Sequence, residues 1–207
     1  MPTESAPRKR LPAEARRAQL LDVAAGLFAD RGYARSTTAE IAKAAGVTEP
    51  VIYRHFESKR DLFVALVEQT AEQTLSIWRD KMDAAGDPAE RLAILLGSNP
   101  MTALGDDEAV RYRIILQAIT ETGDSEIHKA VVSHFRSMHA FMESEVEAAQ
   151  KAKKVSSRVP ADMIAWILID IALGFGVLEA MGITGHHKSK DTSVVQVIGQ
   201  ILLPRRK

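Results

Sequence analysis

The amino-acid sequence predicts an all-α protein of about nine helices, with a small N-terminal domain and a larger C-terminal one. Apolar residues recur every three or four positions along most of the 207 residues, which is the spacing of one helix face. Residues 37–56 have the pattern of two short helices joined at Gly46, and residues 163–183 form a long apolar stretch. Since no segment keeps the alternating pattern of a strand, no sheet is expected.

The N-terminal domain is predicted at 12–57, after a basic, proline-containing arm at 1–11 that we expect to be disordered. Its first helix covers 13–32 and ends at Gly32. Five apolar residues lie on one face of this helix: Leu20, Leu21, Ala24, Leu27 and Phe28. That face is predicted to pack against the two short helices that follow.

The segment at 37–56 contains the residues that a helix-turn-helix needs. Ala45 is small enough for two helices to cross closely, and Gly46 accepts the left-handed conformation that ends a helix. Thr48 suits the N-cap of the second helix, and Pro50 is tolerated in its first turn. The pattern predicts a second helix that enters the major groove of DNA, with an ordinary helical hairpin as the alternative.

Charge is unevenly distributed, although the formal net charge of the chain is zero. Residues 1–60 contain eleven lysines and arginines against seven acidic residues, so this end carries four excess positive charges. Such an end attracts phosphates. Arg8, Lys9 and Arg10 lie in the arm, where we expect either a contact with the minor groove or phosphates, or a solvated tail.

Three motifs and a threonine pair carry a family resemblance. They are LFADRGY, the pair Thr37 and Thr38, IAKAAGV, and YRHFESKRDLF. Together they make residues 18–67, close to a quarter of the chain, similar to the N-terminal domain of the TetR (tetracycline repressor) family. The resemblance implies a ligand-responsive, sequence-specific transcriptional regulator that binds DNA as a homodimer, most often as a repressor.

The resemblance also implies which residues contact DNA. The expected set is Thr37, Thr38, Thr48, Glu49, Pro50, Tyr53, Arg54, His55 and Lys59. Bases would be read from the second helix, at Thr48, Glu49, Pro50 and Tyr53. Phosphate contacts are implied for Thr38, Tyr53, His55 and Lys59. Glu49 departs from the family, whose members often carry a longer neutral or basic side chain there. Its carboxylate either accepts from a cytosine amino group or acts only as a first-turn helix charge.

The C-terminal domain, 58–207, is predicted to be helical throughout. Helices are expected at about 58–85, 88–97, 106–121, 125–153, 163–183 and 191–203. Their large side chains predict a cavity for a mostly apolar small molecule. The candidate effector-binding residues are Trp78, Met82, Tyr112, Leu116, Phe135, Met138, Met142, Trp166 and Asp170. Ordinary core packing is the alternative for each apolar member of this set.

The stretch at 163–183 is long enough to cross a membrane. Asp170 and Glu179 argue against that interpretation, because carboxylates are costly in a bilayer. We instead expect one face to pack on its own domain and the other on a second copy of the chain. Helices at about 160–183 and 191–203 of two subunits would then form a four-helix homodimer interface, as the resemblance also implies.

Composition and motifs exclude several other classes of function. The chain has no cysteine, which rules out disulfides and thiolate ligands. His186 and His187 are adjacent on a polar segment, a poor arrangement for a metal, so neither a metal nor a cofactor is expected. No catalytic motif stands out, which leaves a small-molecule enzyme as a minor alternative beside a sequence-neutral architectural DNA-binding protein. Without a signal-peptide pattern, we expect a cytoplasmic location.

Overall fold

The computed structural model describes residues 11–97, 106–121, 123–183 and 196–198. Within these ranges the chain forms eight α-helices and no strand, so the all-α prediction is confirmed. The helices are α1 (Ala13–Arg31), α2 (Thr38–Ala44), α3 (Glu49–Ile52), α4 (Lys59–Asp83), α5 (Pro88–Gly97), α6 (Asp106–Thr120), α7 (Ser125–Lys151) and α8 (Ala161–Ala180).

Three predicted features fall wholly or mainly outside the described residues. Most of the arm predicted at 1–11 lies outside them, and so do His186 and His187. Of the last helix, predicted at 191–203, only residues 196–198 are described, and these are helical.

The helices form two compact units, one ending at Ala65 and the other beginning at Leu66. The predicted boundary lies eight residues earlier, at the start of α4. The first turns of α4 belong with the N-terminal unit because Phe63 packs there, edge-on to Phe28 and stacked on Tyr33 at 4.3 Å between ring centroids. Helix α4 therefore contributes residues to both units.

A hydrophobic cluster of buried residues lies in the core of the C-terminal unit. It includes Trp78 and Met82 from α4, Met138 and Met142 from α7, and Ile169 from α8. All five side chains are buried, and burying large apolar side chains is the main favourable term in folding. Helix α7 is central to this unit because it packs against α5, α6 and α8.

One ion pair crosses this core from α5 to α7. Arg91 donates from Nε and Nη2 to the two carboxylate oxygens of Glu145, at 2.7 and 2.5 Å. Its Nη1 also donates to the carbonyl of Met82 at the end of α4. Hydrogen bonding to Glu145 raises the pKa of Arg91 above its ordinary value. This pair links three helices of the unit.

Candidate functional site

Helix α2 starts with a complete capping box. The Thr37 hydroxyl accepts from the backbone N–H of Glu40, and the Glu40 carboxylate accepts from the backbone N–H of Thr37. These bonds from Thr37, with a smaller contribution from Arg31, lower the pKa of Glu40. The box satisfies two backbone donors at the helix start, and so fixes where α2 begins.

The turn after α2 has the geometry expected from the sequence. Gly46 has a φ of +67°, in the left-handed region that favours glycine. The Val47 N–H donates across the turn to the Ala42 carbonyl at 2.9 Å, and Ile41 and Ile52 are fully buried between the two helices. The helix-turn-helix arrangement is therefore present.

Helix α3 has only four residues and ends at Ile52. Thr48 is its N-cap, as expected, but the Thr48 side chain makes no capping hydrogen bond. Tyr53, Arg54 and His55 follow the helix in a turn. There the Arg54 and His55 N–H groups bond three residues back, as in a tightened last helical turn.

Three polar side chains from α2 and α3 meet at this surface. The Thr38 hydroxyl donates a short hydrogen bond to Oε1 of Glu49. The Tyr53 hydroxyl lies 3.1 Å from Thr38 Oγ1 and 3.4 Å from Glu49 Oε1. Since Thr38 has one hydroxyl hydrogen and gives it to Glu49, the single hydroxyl hydrogen of Tyr53 is shared between Thr38 Oγ1 and Glu49 Oε1. We call Thr38, Glu49 and Tyr53 the polar trio.

The sequence did not predict the polar trio. Glu49 and Tyr53 are four residues apart, which places them on one helix face, and that spacing could have indicated their contact. No sequence spacing indicated that Thr38, on the preceding helix, would join them.

Two basic residues brace the turn after α3 and the loop before α2. Arg17 donates to the carbonyl of His55 at 3.1 Å and lies 4.3 Å above the ring of Phe56. Lys59 donates to the carbonyls of Tyr33 and Ser36, at 2.9 and 3.0 Å. The role of Arg17 was missed in the sequence, and Lys59, expected at a phosphate, is bonded within its own unit.

The remaining predicted DNA contacts differ in exposure. Thr37, Thr48, Pro50, Tyr53 and Arg54 are exposed, whereas Glu49, His55 and Lys59 are half-buried. Thr38 is buried, and its hydroxyl is bonded within the polar trio. Four of the exposed members, Thr48, Pro50, Tyr53 and Arg54, lie on α3 or directly beside it, whereas Thr37 lies at the start of α2.

The predicted effector-binding residues do not converge on one place. Trp78, Met82, Met138 and Met142 are in the core cluster, with Phe135 packed against it, and Leu116 is half-buried on α6. Trp166 and Asp170 are exposed on α8. Helical periodicity placed residues on faces correctly but could not show which face of α8 turns inward.

Tyr112 is half-buried, with its ring against α8. Its hydroxyl donates to the carbonyl of Leu173 at 3.2 Å, and burial raises the pKa of Tyr112 to about 12. A Cβ added to Gly176 would collide with the Tyr112 ring, so the glycine is what allows α6 and α8 to approach here.

Trp166 stacks on the ring of His139 at 4.4 Å between centroids. His139 Nε2 lies 3.2 Å from Oδ1 of Asp162, and its Nδ1 lies 3.8 Å from Oε2 of Glu143. The two carboxylates approach different nitrogens of the same ring, whereas one metal ion binds an imidazole through a single nitrogen. We therefore interpret these residues as a polar bridge between α7 and α8.

His134 is a buried polar group on α7 and is 5% exposed. Its Nδ1 has no hydrogen-bond partner among the described residues, and burial lowers its pKa to about 4. The imidazole is therefore neutral at physiological pH, and a neutral ring offers one donor and one acceptor. It is a candidate polar contact for a molecule bound among these helices.

Lowering the pH from 6.5 to 4 is expected to destabilise the protein through His134. The unfolded chain takes up this proton near pH 6.5, whereas the folded chain does so only near pH 4. Across that window the free energy of unfolding should fall by about 3 kcal/mol through this residue. His134→Leu should flatten the pH dependence in denaturant titrations, whereas His128→Leu, at an exposed position on the same helix, should not. Equal pH slopes in all three proteins would contradict the assignment.

The outward face of α8 carries an apolar stripe. Positions 163, 167, 170, 174 and 177 follow one another in alternating steps of four and three residues. Met163, Ile167 and Val177 are the exposed apolar members of this stripe, and Asp170 and Gly174 hold the other two positions. Steps of three and four are the pattern of a helix that pairs with another helix. The stretch Ala161–Leu178 is also long and apolar enough to span a membrane by length and composition, and less than half of it is buried.

Comparison with known proteins identifies the N-terminal domain. Residues 20–66 match the family model for bacterial regulatory proteins of the tetR family. The HTH-type transcriptional activator FasR of Mycolicibacterium smegmatis is 41% identical over 83 residues, which are 40% of this chain and 38% of FasR. The chain thus matches well under half the length of that relative. The resemblance seen in the motifs is confirmed.

Solved structures extend the similarity to most of the chain. A putative transcriptional regulator from Saccharomonospora viridis in complex with choline has a TM-score of 0.74 at 23% identity, covering 91% of this chain and 93% of that one. FadR from Bacillus subtilis in complex with stearoyl-CoA has a TM-score of 0.69 at 16% identity, covering 89% and 94%. At these identities the similarity shows the fold: an N-terminal helix-turn-helix domain followed by a helical domain.

Proposed function

We propose that this chain, a member of the TetR family of bacterial regulatory proteins through its N-terminal domain, is a ligand-responsive, sequence-specific transcriptional regulator. The observation that carries the proposal is the exposed surface of α3, which a capped α2, a glycine turn and Arg17 hold in place. Repression is the favoured direction of control. The protein would act in the cytoplasm, where bacterial DNA lies.

Two copies of the chain would bind one DNA site. A dimer places its two recognition helices in successive major grooves, roughly 34–36 Å apart. The outward stripe of α8 supports dimerisation, because apolar residues at helix-pairing spacing are exposed on a single copy. Asp170 lies within that stripe, which favours a protein partner over lipid. We therefore assign Asp170 to the interface rather than to an effector site.

The effector would be a mostly apolar small molecule bound among the helices of the C-terminal unit. Methionines in the core support this, since methionine adapts readily to different shapes. Two structural neighbours were solved in complex with stearoyl-CoA and with choline, which supports a small ligand for this chain as well. Helix α4 contributes to both units, so a displacement of α4 would alter DNA binding. To release DNA, the effector must bind the DNA-incompetent state more tightly.

Tyr53→Ala is the direct test of the DNA surface. Tyr53 is 51% exposed next to α3, so its removal should leave the fold intact while it deletes a contact to DNA. We expect the affinity for a selected duplex, measured by fluorescence anisotropy, to fall at least tenfold. That decrease corresponds to a loss of about 1.4 kcal/mol of binding free energy. Sedimentation should show an unchanged oligomeric state. Arg158→Ala, which removes an exposed cation from the C-terminal unit, is the control and should bind normally. Undiminished binding by Tyr53→Ala would refute this interface.

A further inference from the structure

Glu49 is the acidic member of the surface that would face DNA. It is the first residue of α3, and its carboxylate is held by hydroxyl hydrogen bonds from Thr38 and Tyr53. The neighbouring Thr48 and Pro50 are exposed and carry no charge. A negative group in this position opposes the general attraction of a basic protein end for phosphates.

The chemistry of a carboxylate restricts what it can contact on DNA. An ionised carboxylate only accepts hydrogen bonds. In the major groove, cytosine presents an amino donor alone, and adenine presents an amino donor beside the N7 acceptor. Guanine presents two acceptors, and thymine presents one acceptor and a methyl group. A carboxylate is therefore repelled by guanine and thymine edges and by every phosphate. The cytosine edge is the partner that acidic side chains take at base pairs.

We propose that Glu49 determines sequence specificity by accepting a hydrogen bond from the amino group of cytosine, and that it lowers affinity for all other DNA. This inference rests on the proposed function, because it requires α3 to enter the major groove. Without DNA, Thr38 and Tyr53 satisfy the carboxylate. At a cytosine, the amino group supplies a donor to Glu49, and the Tyr53 hydroxyl becomes available to a phosphate.

The hydrogen bonds within the polar trio weaken binding to DNA sites that lack a cytosine at the contacted position. At a site without an amino donor, the carboxylate keeps its bonds to Thr38 and Tyr53. Its negative charge then lies close to the DNA but receives no hydrogen bond from a base. Both hydroxyls then remain occupied within the protein instead of contacting the backbone. Base choice and backbone contact are thereby coupled through a single side chain.

The test is selection of binding sites from a randomised duplex library by the full chain and its variants. Wild-type protein should select a cytosine at one position in each half-site. Replacing that cytosine with thymine should weaken wild-type binding by about tenfold or more, but change binding of Glu49→Ala less than twofold. Glu49→Gln should move the preference towards adenine, which glutamine contacts at two positions. Both variants should also bind random duplex several-fold more tightly than wild type.

Glu57→Gln is the matched control, because it removes one exposed negative charge from the same unit without touching the polar trio. It should keep the cytosine preference, and its gain in affinity for random duplex should be smaller. Thermal unfolding of each variant verifies that it is folded. If wild type selects a site but both Glu49 variants select the same site with the same thymine penalty, the inference is overturned and the regulator stands. If wild type shows no sequence preference, both are overturned.

Discussion

Replacing Ile167 with glutamate is expected to convert the proposed dimer into monomers and to weaken DNA binding by about two to three orders of magnitude. Ile167 is 43% exposed in the middle of the outward stripe of α8. A second copy would bury it, and an unpaired charge buried in an interface is strongly unfavourable. A dimer that has bound one half-site binds the second one intramolecularly, which raises its affinity for the whole site. A monomer loses this increase in affinity, although its α3 remains intact.

The control for Ile167→Glu introduces the same charge at an exposed polar position. Ser137 lies on α7 and is exposed, so Ser137→Glu should remain dimeric and bind DNA normally. Sedimentation velocity measures the oligomeric state, and anisotropy titration measures the affinity. A dimeric Ile167→Glu would show that another surface joins the subunits. Wild-type protein that co-sediments with lipid vesicles would instead indicate that the α8 stripe meets a membrane.

Local signals explain why the helix boundaries could be predicted closely. Helix α7 was predicted to begin at Ser125, and Asp124 caps it there by accepting from the N–H groups of Glu126 and Ile127. The turn at Gly46 was predicted because few other residues accept its left-handed φ. Caps and turns depend on residues within four positions of each other, so the sequence contains them directly.

Contacts between distant segments were not predictable from spacing. Lys59 carries a charge that suits a phosphate, yet it bonds carbonyls 23 and 26 residues earlier in the chain. Trp166 and Asp170 were placed correctly on one face of α8, but α8 is apolar nearly all round, so no pattern shows which face is covered. Tyr112 meets the chain beside Gly176 only because α6 and α8 cross there. These outcomes depend on tertiary packing.

Breaking the Arg91–Glu145 pair should have the largest effect on stability. Glu145 is 8% exposed, and both of its oxygens accept from Arg91. Arg91→Ala leaves that carboxylate buried and unpaired, which should lower the free energy of unfolding by about 3–5 kcal/mol. Denaturant titration at neutral pH measures the loss. Lys154→Ala breaks an exposed pair with Asp87, in which the lysine side chain is 47% exposed and the aspartate side chain 43%. Because solvent screens such a pair, this loss should be much smaller than that of Arg91→Ala.

The double variant Arg91→Met, Glu145→Met separates the cost of an unpaired charge from the contribution of the pair. Methionine fills similar space without a charge, so the double variant should recover most of the stability that Arg91→Ala loses. The pair would then serve mainly to fix how α5 and the end of α4 sit on α7. In that case the double variant should unfold at nearly wild-type denaturant concentrations but respond more weakly to an effector. If Arg91→Ala and Lys154→Ala destabilise the protein equally, solvent reaches Glu145. The Arg91–Glu145 pair then does not stabilise the packing of α4, α5 and α7.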